Sequence, residues 1–231
     1  RSMTQWTRET VAKTIDHAAL KTEMVDADII EQCELGAKYN VASVCVRPTD
    51  VATAAKALEG STVPVSAVVG FPHGHHYPEV KALEAKMCID DGAVELDMVM
   101  NVGKFLTGDY ALVQRDIEGV VAEAHPRGAK VKVILETCYL TPEQIVKACE
   151  ISRDAGADWV KTSTGFGSGP ATPEAIDVMM KTVGDVMGVK ASGGVRDYET
   201  AIAYLQQGCN RLGAAGGTAA ICENAPCEGG Y

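Results

Sequence analysis

A chain of 231 residues, 46% hydrophobic and 23% charged, can bury one large core, and an α/β barrel of this length forms a single domain. A formal net charge of −10 without any Lys/Arg-rich run argues against nucleic acid or an anionic membrane as partner. No stretch approaches the ~18 consecutive apolar residues of a membrane helix, and residues 1–20 lack a basic-then-apolar leader, so a cytoplasmic location is the default expectation.

Arg1-Ser2 ahead of Met3 reads as a cloning remnant and is set aside. After a short lead helix over 4–13, apolar runs of five to eight residues alternate with amphipathic segments of about a dozen. Strands are predicted over 14–20, 41–46, 65–70, 93–100, 130–136, 159–162, 188–191 and 211–214. Helix starts are signalled by Asp26, by Thr49-Asp50, by Thr141-Pro142 with Glu143, and by Thr172-Pro173-Glu174. Gly36, Gly92, Gly156 and Gly208 are placed just past helix ends. Eight strand-helix units in roughly the minimum length predict a single-domain (β/α)₈ barrel over 1–231, with residues 224–231 as a loosely ordered tail. A doubly wound open sheet is the alternative, but it normally has fewer strands and a Gly-rich fingerprint after the first; here His17-Ala18-Ala19-Leu20-Lys21 follows instead. The eight cysteines contain no C-x-x-C pair and read as free thiols in a reducing compartment.

Strand periodicity sorts the polar residues. Alternate side chains of a barrel strand point inward or toward the helices. Ile15, Val44, Val46, Leu96, Met98, Val133, Leu135, Val160 and Val189 make the helix-facing set. The inward set collects Asp16, Glu95, Asp97, Lys132, Glu136, Lys161 and Lys190. A barrel filled for stability alone would use Val, Ile and Leu there, so this cluster points either to a reactive site or to a network of structural ion pairs. The most informative stretch is Asp158-Trp159-Val160-Lys161-Thr162-Ser163-Thr164-Gly165-Phe166, which puts a lysine in an apolar strand. A buried ammonium responds by lowering its pKa, and the resulting amine attacks aldehydes and ketones. Glycine pairs at Gly193-Gly194 and in Gly213-Ala214-Ala215-Gly216-Gly217 follow the last two strands, where barrel enzymes often bind phosphate. Cys45, inward on the second strand, is either core filling or a thiol that could react with aldehydes, with core filling preferred. His73, His75 and His76 on one loop cannot easily surround a tetrahedral metal ion, and they are read as solvated or structural.

Thr14-Ile15-Asp16-His17, Gly70-Phe71-Pro72-His73-Gly74, Glu95-Leu96-Asp97-Met98-Val99, Lys132-Val133-Ile134-Leu135-Glu136-Thr137, Val160-Lys161-Thr162-Ser163-Thr164-Gly165-Phe166 and Val189-Lys190-Ala191-Ser192-Gly193-Gly194 together resemble the deoxyribose-phosphate aldolase family, over nearly the whole chain. The resemblance implies a (β/α)₈ class I aldolase of deoxyribonucleoside catabolism, without metal or cofactor, that reversibly cleaves 2-deoxy-D-ribose 5-phosphate to acetaldehyde and D-glyceraldehyde 3-phosphate. It implies Lys161 as the Schiff-base lysine, Lys190 as the second lysine and Asp97 as the acid/base carboxylate. Substrate contacts are expected from Asp16, Cys45, Thr162, Lys132 and Glu136, and phosphate contacts from Gly165, Gly193, Gly194, Gly213, Ala215 and Gly216. The partners implied are phosphorylated sugars and aldehydes, with a homodimer as the assembly. Two departures stand out: Ala215 where the family usually has serine, and Ala18 where the first motif usually has a hydroxyl. Tyr231, ending a Gly-Gly tail, is either disordered or a proton-transfer group folded over the barrel mouth. The alternatives are another phosphate-binding barrel enzyme, an isomerase or a ketone-donor aldolase, and a non-catalytic sugar-phosphate-binding barrel.

Overall fold

The computed structural model describes residues 6–226; Arg1, Ser2, Cys227 and Tyr231 lie outside them. Eight parallel strands close on themselves in sequence order. They are β1 (Ile15–Ala19), β2 (Ser43–Val46), β3 (Val65–Val69), β4 (Glu95–Val99), β5 (Lys130–Ile134), β6 (Trp159–Lys161), β7 (Gly188–Ala191) and β8 (Arg211–Ala214). Around them run α1 (Arg8–Ala12), α2 (Asp26–Tyr39), α3 (Val51–Ala57), α4 (Pro78–Asp90), α5 (Val102–Thr107), α6 (Tyr110–Ala124), α7 (Pro142–Asp154), α8 (Pro173–Val183), α9 (Tyr198–Gln207) and α10 (Thr218–Asn224). The result is the (β/α)₈ barrel expected from the alternation, and the open-sheet alternative falls with the β1–β8 pairing of Ile15 with Leu212 and Asp16 with Gly213.

The two sides of each strand separate as the period of two requires. Ile15, Val44, Val46, Leu96, Met98, Val133, Leu135, Val160 and Val189 all lie in one contiguous apolar layer between barrel and helices. Register then stacks the inward residues: Asp97 is level with Lys132, Lys132 with Trp159, Lys161 with Lys190, and Lys190 with Arg211. Trp159 sits beneath Lys132 and beside Arg211, with both cations over its ring at 5.8 and 5.0 Å.

Helix starts follow their sequence signals, with instructive exceptions. Thr141 and Thr172 cap α7 and α8 through their hydroxyls, each followed by proline at the first helical position. For α2 the capping residue is Val25 rather than Asp26, and the Val25 N–H is satisfied by the Asp28 carboxylate at 2.8 Å. Thr49-Asp50 falls inside a 3₁₀ turn, Pro48–Asp50, before α3. The lead helix is only α1, capped by Thr7. Gly92, Gly156 and Gly208 do terminate helices in the left-handed region, as expected. Gly36 does not: it lies inside α2, and Asn40 takes the left-handed position at φ 53°. Gly36 is there because a Cβ would overlap the Val44 side chain, where α2 packs on β2. Gly36→Val is therefore expected to destabilise the fold by about 1–3 kcal/mol through overpacking, read as a lowered urea midpoint at unchanged slope.

Of the expected tail, Asn224 closes α10, Ala225 is buried and the Pro226 carbonyl accepts the Arg8 N–H at 2.6 Å, while residues 227–231 lie outside the described residues. Among the described residues no helix is long and apolar enough to cross a membrane.

Candidate active site

The inward polar residues form one buried ionic cluster ordered in depth. At the base Arg211 binds Glu95 through two nitrogens, at 2.7 and 3.1 Å, and reaches Asp16 at 2.8 Å. Above it the fully buried Lys132 touches three carboxylates: Glu95 at 2.6 Å, Asp97 at 2.9 Å and Asp16 at 3.1 Å. Uppermost are Lys190, between Asp16 at 2.6 Å and Asp97 at 2.7 Å, and Lys161, whose Nζ meets Asp97 at 3.0 Å. Asp97 Oδ2 thus bridges the two upper lysines while its Oδ1 is held by Lys132. Ser43 donates to Asp16 at 2.7 Å and completes that carboxylate's partners.

The cluster holds three carboxylates, Asp16, Glu95 and Asp97, against four basic groups, Lys132, Lys161, Lys190 and Arg211. One base is in excess, and the electrostatics single it out. Burial disfavours charge on each of the four, but Asp16 and Asp97 overcome it at Lys190, whose pKa is raised. The same holds at Lys132, with Asp16, Asp97 and Glu95 beside it, and at Arg211, held by Asp16 and Glu95. Of these four, Lys161 alone is pushed below its ordinary value: burial leads, the Asp97 carboxylate opposes it, and the Lys190 ammonium adds to it. Burial would raise Asp97, yet Lys132, Lys161 and Lys190 hold its carboxyl well below the usual range.

Lys161 and Lys190 open into a cavity of about 630 Å³ at the C-terminal mouth of the barrel, where barrel active sites lie. Asp16 and Cys45 share its wall, and so do all the expected phosphate residues: Gly165, Gly193, Gly194, Gly213, Ala215 and Gly216. Gly193 and Gly194 turn at φ 82° and 76°, left-handed conformations that glycine adopts without strain, and both lie on the cavity wall. Helix α9 behind them is capped by its own Asp197. The cavity wall also carries Arg196, Lys21, Gln32, Phe166 and Ser192, which sequence reasoning did not select. Arg196 was legible, two residues after the Gly193-Gly194 pair; Gln32, in the middle of α2, gave no signal.

Four selected residues are not on that wall. Asp97 and Lys132 lie beneath it and act on the cavity only through the upper lysines. Thr162 is buried, donating to the Ser192 carbonyl and accepting the Ser192 N–H, both at 3.1 Å; it clamps β6 to β7 beside the two lysines. Glu136 was placed in the inward cluster, but β5 ends at Ile134 and Glu136 turns away at φ 54°. Its carboxylate accepts the Thr164 N–H at 3.0 Å and the Thr164 hydroxyl at 2.6 Å, fixing the loop that carries Gly165 and Phe166. Glu136 lines a smaller side pocket with His73 and Tyr139.

A closed parallel barrel with a buried amine at the foot of a glycine-lined cavity defines a (β/α)₈-barrel enzyme. The chain belongs to the DeoC/LacD family of aldolases, whose model matches residues 10–220. It is 52% identical over 209 residues to a protein of Thermococcus gammatolerans named deoxyribose-phosphate aldolase, covering 90% of this chain and 93% of that one. It is 51% identical over 224 residues to one of the same name from Clostridium perfringens, covering 97% and 99%. Among solved structures it resembles a deoxyribose phosphate aldolase from Aeropyrum pernix, described as having a unique tetrameric structure, with a TM-score of 0.87 and 30% identity over 94% of this chain and 91% of that one.

Proposed function

We propose that this chain is a deoxyribose-phosphate aldolase that cleaves 2-deoxy-D-ribose 5-phosphate through a Schiff base on Lys161. The observation that carries the proposal is the surplus of one base in the buried cluster, resolved at Lys161, one of the two cluster lysines that open into the cavity. The names of the relatives at 52% and 51% identity point to the same reaction.

The chemistry follows from the geometry. The neutral Lys161 amine attacks the aldehyde carbon C1 of the open-chain sugar, and loss of water leaves an iminium ion. A base takes the proton of the C3 hydroxyl; C3 becomes the carbonyl of glyceraldehyde 3-phosphate, and the C2–C3 electrons move to C2 as the nitrogen charge is neutralised. The enamine that remains is protonated at C2, and hydrolysis releases acetaldehyde and the free amine. Lys190 lines the cavity and supplies the charged neighbour for these transfers, while Asp97 bridges both Nζ atoms as relay and anchor. Asp97 is too strongly held as a carboxylate to be a standing acid, which refines its acid/base role. Cys45 adds an uncharged wall, since burial raises its thiol pKa. Phosphate is placed against the Gly193-Gly194 and Gly213–Gly217 backbone with Arg196 as the side-chain cation.

The lowered Lys161 pKa sets the sign of the pH dependence. The amine is free above its pKa and protonated below it, so kcat/KM should rise with pH along a limb of unit slope, at a midpoint below the ordinary lysine value of 10.5. A limb centred near that value would contradict the assignment. Turnover of deoxyribose 5-phosphate to acetaldehyde, followed with a coupled alcohol dehydrogenase, tests the reaction itself. Activity with dihydroxyacetone phosphate as donor, and none with deoxyribose 5-phosphate, would favour the ketone-donor alternative. For the homodimer implied by the resemblance, the exposed apolar row Tyr77, Val80, Leu83 and Met87 on and before α4 is the surface such an assembly would bury; sedimentation velocity of wild type and Leu83→Lys tests it.

A further inference from the structure

The phosphate cradle is uneven. On the β7 flank it has Arg196 beside the glycines, the Ser192 hydroxyl there already donating to the Ser163 carbonyl at 2.6 Å, but on the β8 flank residues 214 and 215 are alanine and offer no side-chain donor. Gln32 on α2 also lines the cavity, and it is tied to that flank through His17, its hydrogen-bond partner, which is level with Ala214 across the β1–β8 pairing.

Gln32 is oriented from behind. His17 points outward from β1 and is fully buried; its Nε2 meets Gln32 Oε1 at 2.7 Å and its Nδ1 meets Thr218 Oγ1 at 2.7 Å. Thr218 is the first residue of α10, directly after the glycine cradle, and Ala214 is level with His17 across the β1–β8 pairing. With the imidazole neutral, as burial favours, the Thr218 hydroxyl donates to Nδ1 and Nε2–H donates to the Gln32 oxygen. The oxygen of the amide is thereby committed to His17. The NH₂ end has no acceptor among the described residues and sits on an amide that lines the cavity.

We propose that Gln32 Nε2 is a phosphate-recognition donor, serving the flank that Ala214 and Ala215 leave without one, and that His17 is the positioning residue that turns it there. This rests on the phosphate ester reading above. A neutral N–H donating to a phosphate oxygen is a charge-assisted bond, for which loss of about tenfold in affinity is expected.

The test compares wild type, Gln32→Leu and Gln32→Glu for kcat and KM on deoxyribose 5-phosphate and on unphosphorylated deoxyribose. Binding of inorganic phosphate is measured alongside by calorimetry. Gln32→Leu should raise KM for the phosphate ester and the Kd for inorganic phosphate about tenfold, leave kcat unchanged, and leave kcat/KM on deoxyribose unchanged. Gln32→Glu should weaken both phosphate readouts further. His17→Phe should match Gln32→Leu, whereas His17→Gln, whose amide N–H can take the place of Nε2–H, should restore phosphate binding. Unchanged phosphate affinity in Gln32→Leu, equal losses on both substrates, or identical behaviour of the two His17 variants would overturn the proposal. If the wild type shows no cleavage activity while Gln32→Leu still weakens its binding of inorganic phosphate, the aldolase reading fails and this one stands.

Discussion

Lys161→Leu is expected to lower kcat/KM by about 10⁴-fold or more while the protein keeps its stability. The loss follows because leucine cannot form the iminium ion that accepts the C2–C3 electrons, and no other group in the cavity replaces it: Lys190 is held as an ammonium by Asp16 and Asp97. The retained stability follows from charge. Without Lys161 the cluster contains Asp16, Glu95 and Asp97 against Lys132, Lys190 and Arg211, each of them still paired. Removing the base that burial disfavours costs the fold little, and a small rise in melting temperature is the expected direction. A variant that loses activity by unfolding would speak for a structural lysine. Parallel measurement of kcat/KM and of the urea midpoint separates the two.

Lys132→Met should do the opposite, destabilising strongly and shifting catalysis without touching the cavity wall. Lys132 is fully buried and serves Asp16, Glu95 and Asp97 at once. Breaking a buried ion pair by removing one partner costs about 3–5 kcal/mol, so the urea midpoint should fall by that amount divided by the slope. The kinetic effect has a definite sign. Asp97 Oδ1 loses its cation, so the carboxylate is freer to hold a proton on Lys161, and the cluster then balances with Lys161 charged. The Lys161 pKa rises, and the limb of kcat/KM that depends on its free amine moves to higher pH. An unmoved limb would show that Lys132 acts on the fold alone. Arginine at 132 would separate charge from shape, restoring the pH profile if charge is what matters.

Much of the barrel was legible because burial on one strand face is a two-residue rhythm that the sequence displays openly. Lys161, Lys190, Asp97 and Asp16 fall on inward positions, and the nine residues assigned outward fill the helix-facing layer. The errors arise where the rhythm stops. Glu136 continues the alternation of β5 on paper, but the strand ends at Ile134 and a left-handed turn sends the carboxylate to Thr164 instead. Gly36 looked like a helix terminator because glycine favours that position, whereas here it answers to the closeness of Val44. Gln32 and Arg196 reach the cavity from a helix and a loop, where no period announces which way a side chain faces. Depth was invisible too: Lys132 and Lys161 read alike in sequence, yet one lies under the floor and the other opens into the cavity.

The most direct measurement is reduction of the protein with borohydride in the presence of acetaldehyde, followed by peptide mapping. The account predicts a single ethyl group on the peptide carrying Lys161, absent from Lys161→Leu and absent from Lys190. An ethyl group on Lys190 in place of Lys161, or full turnover with no trapped adduct, would contradict it.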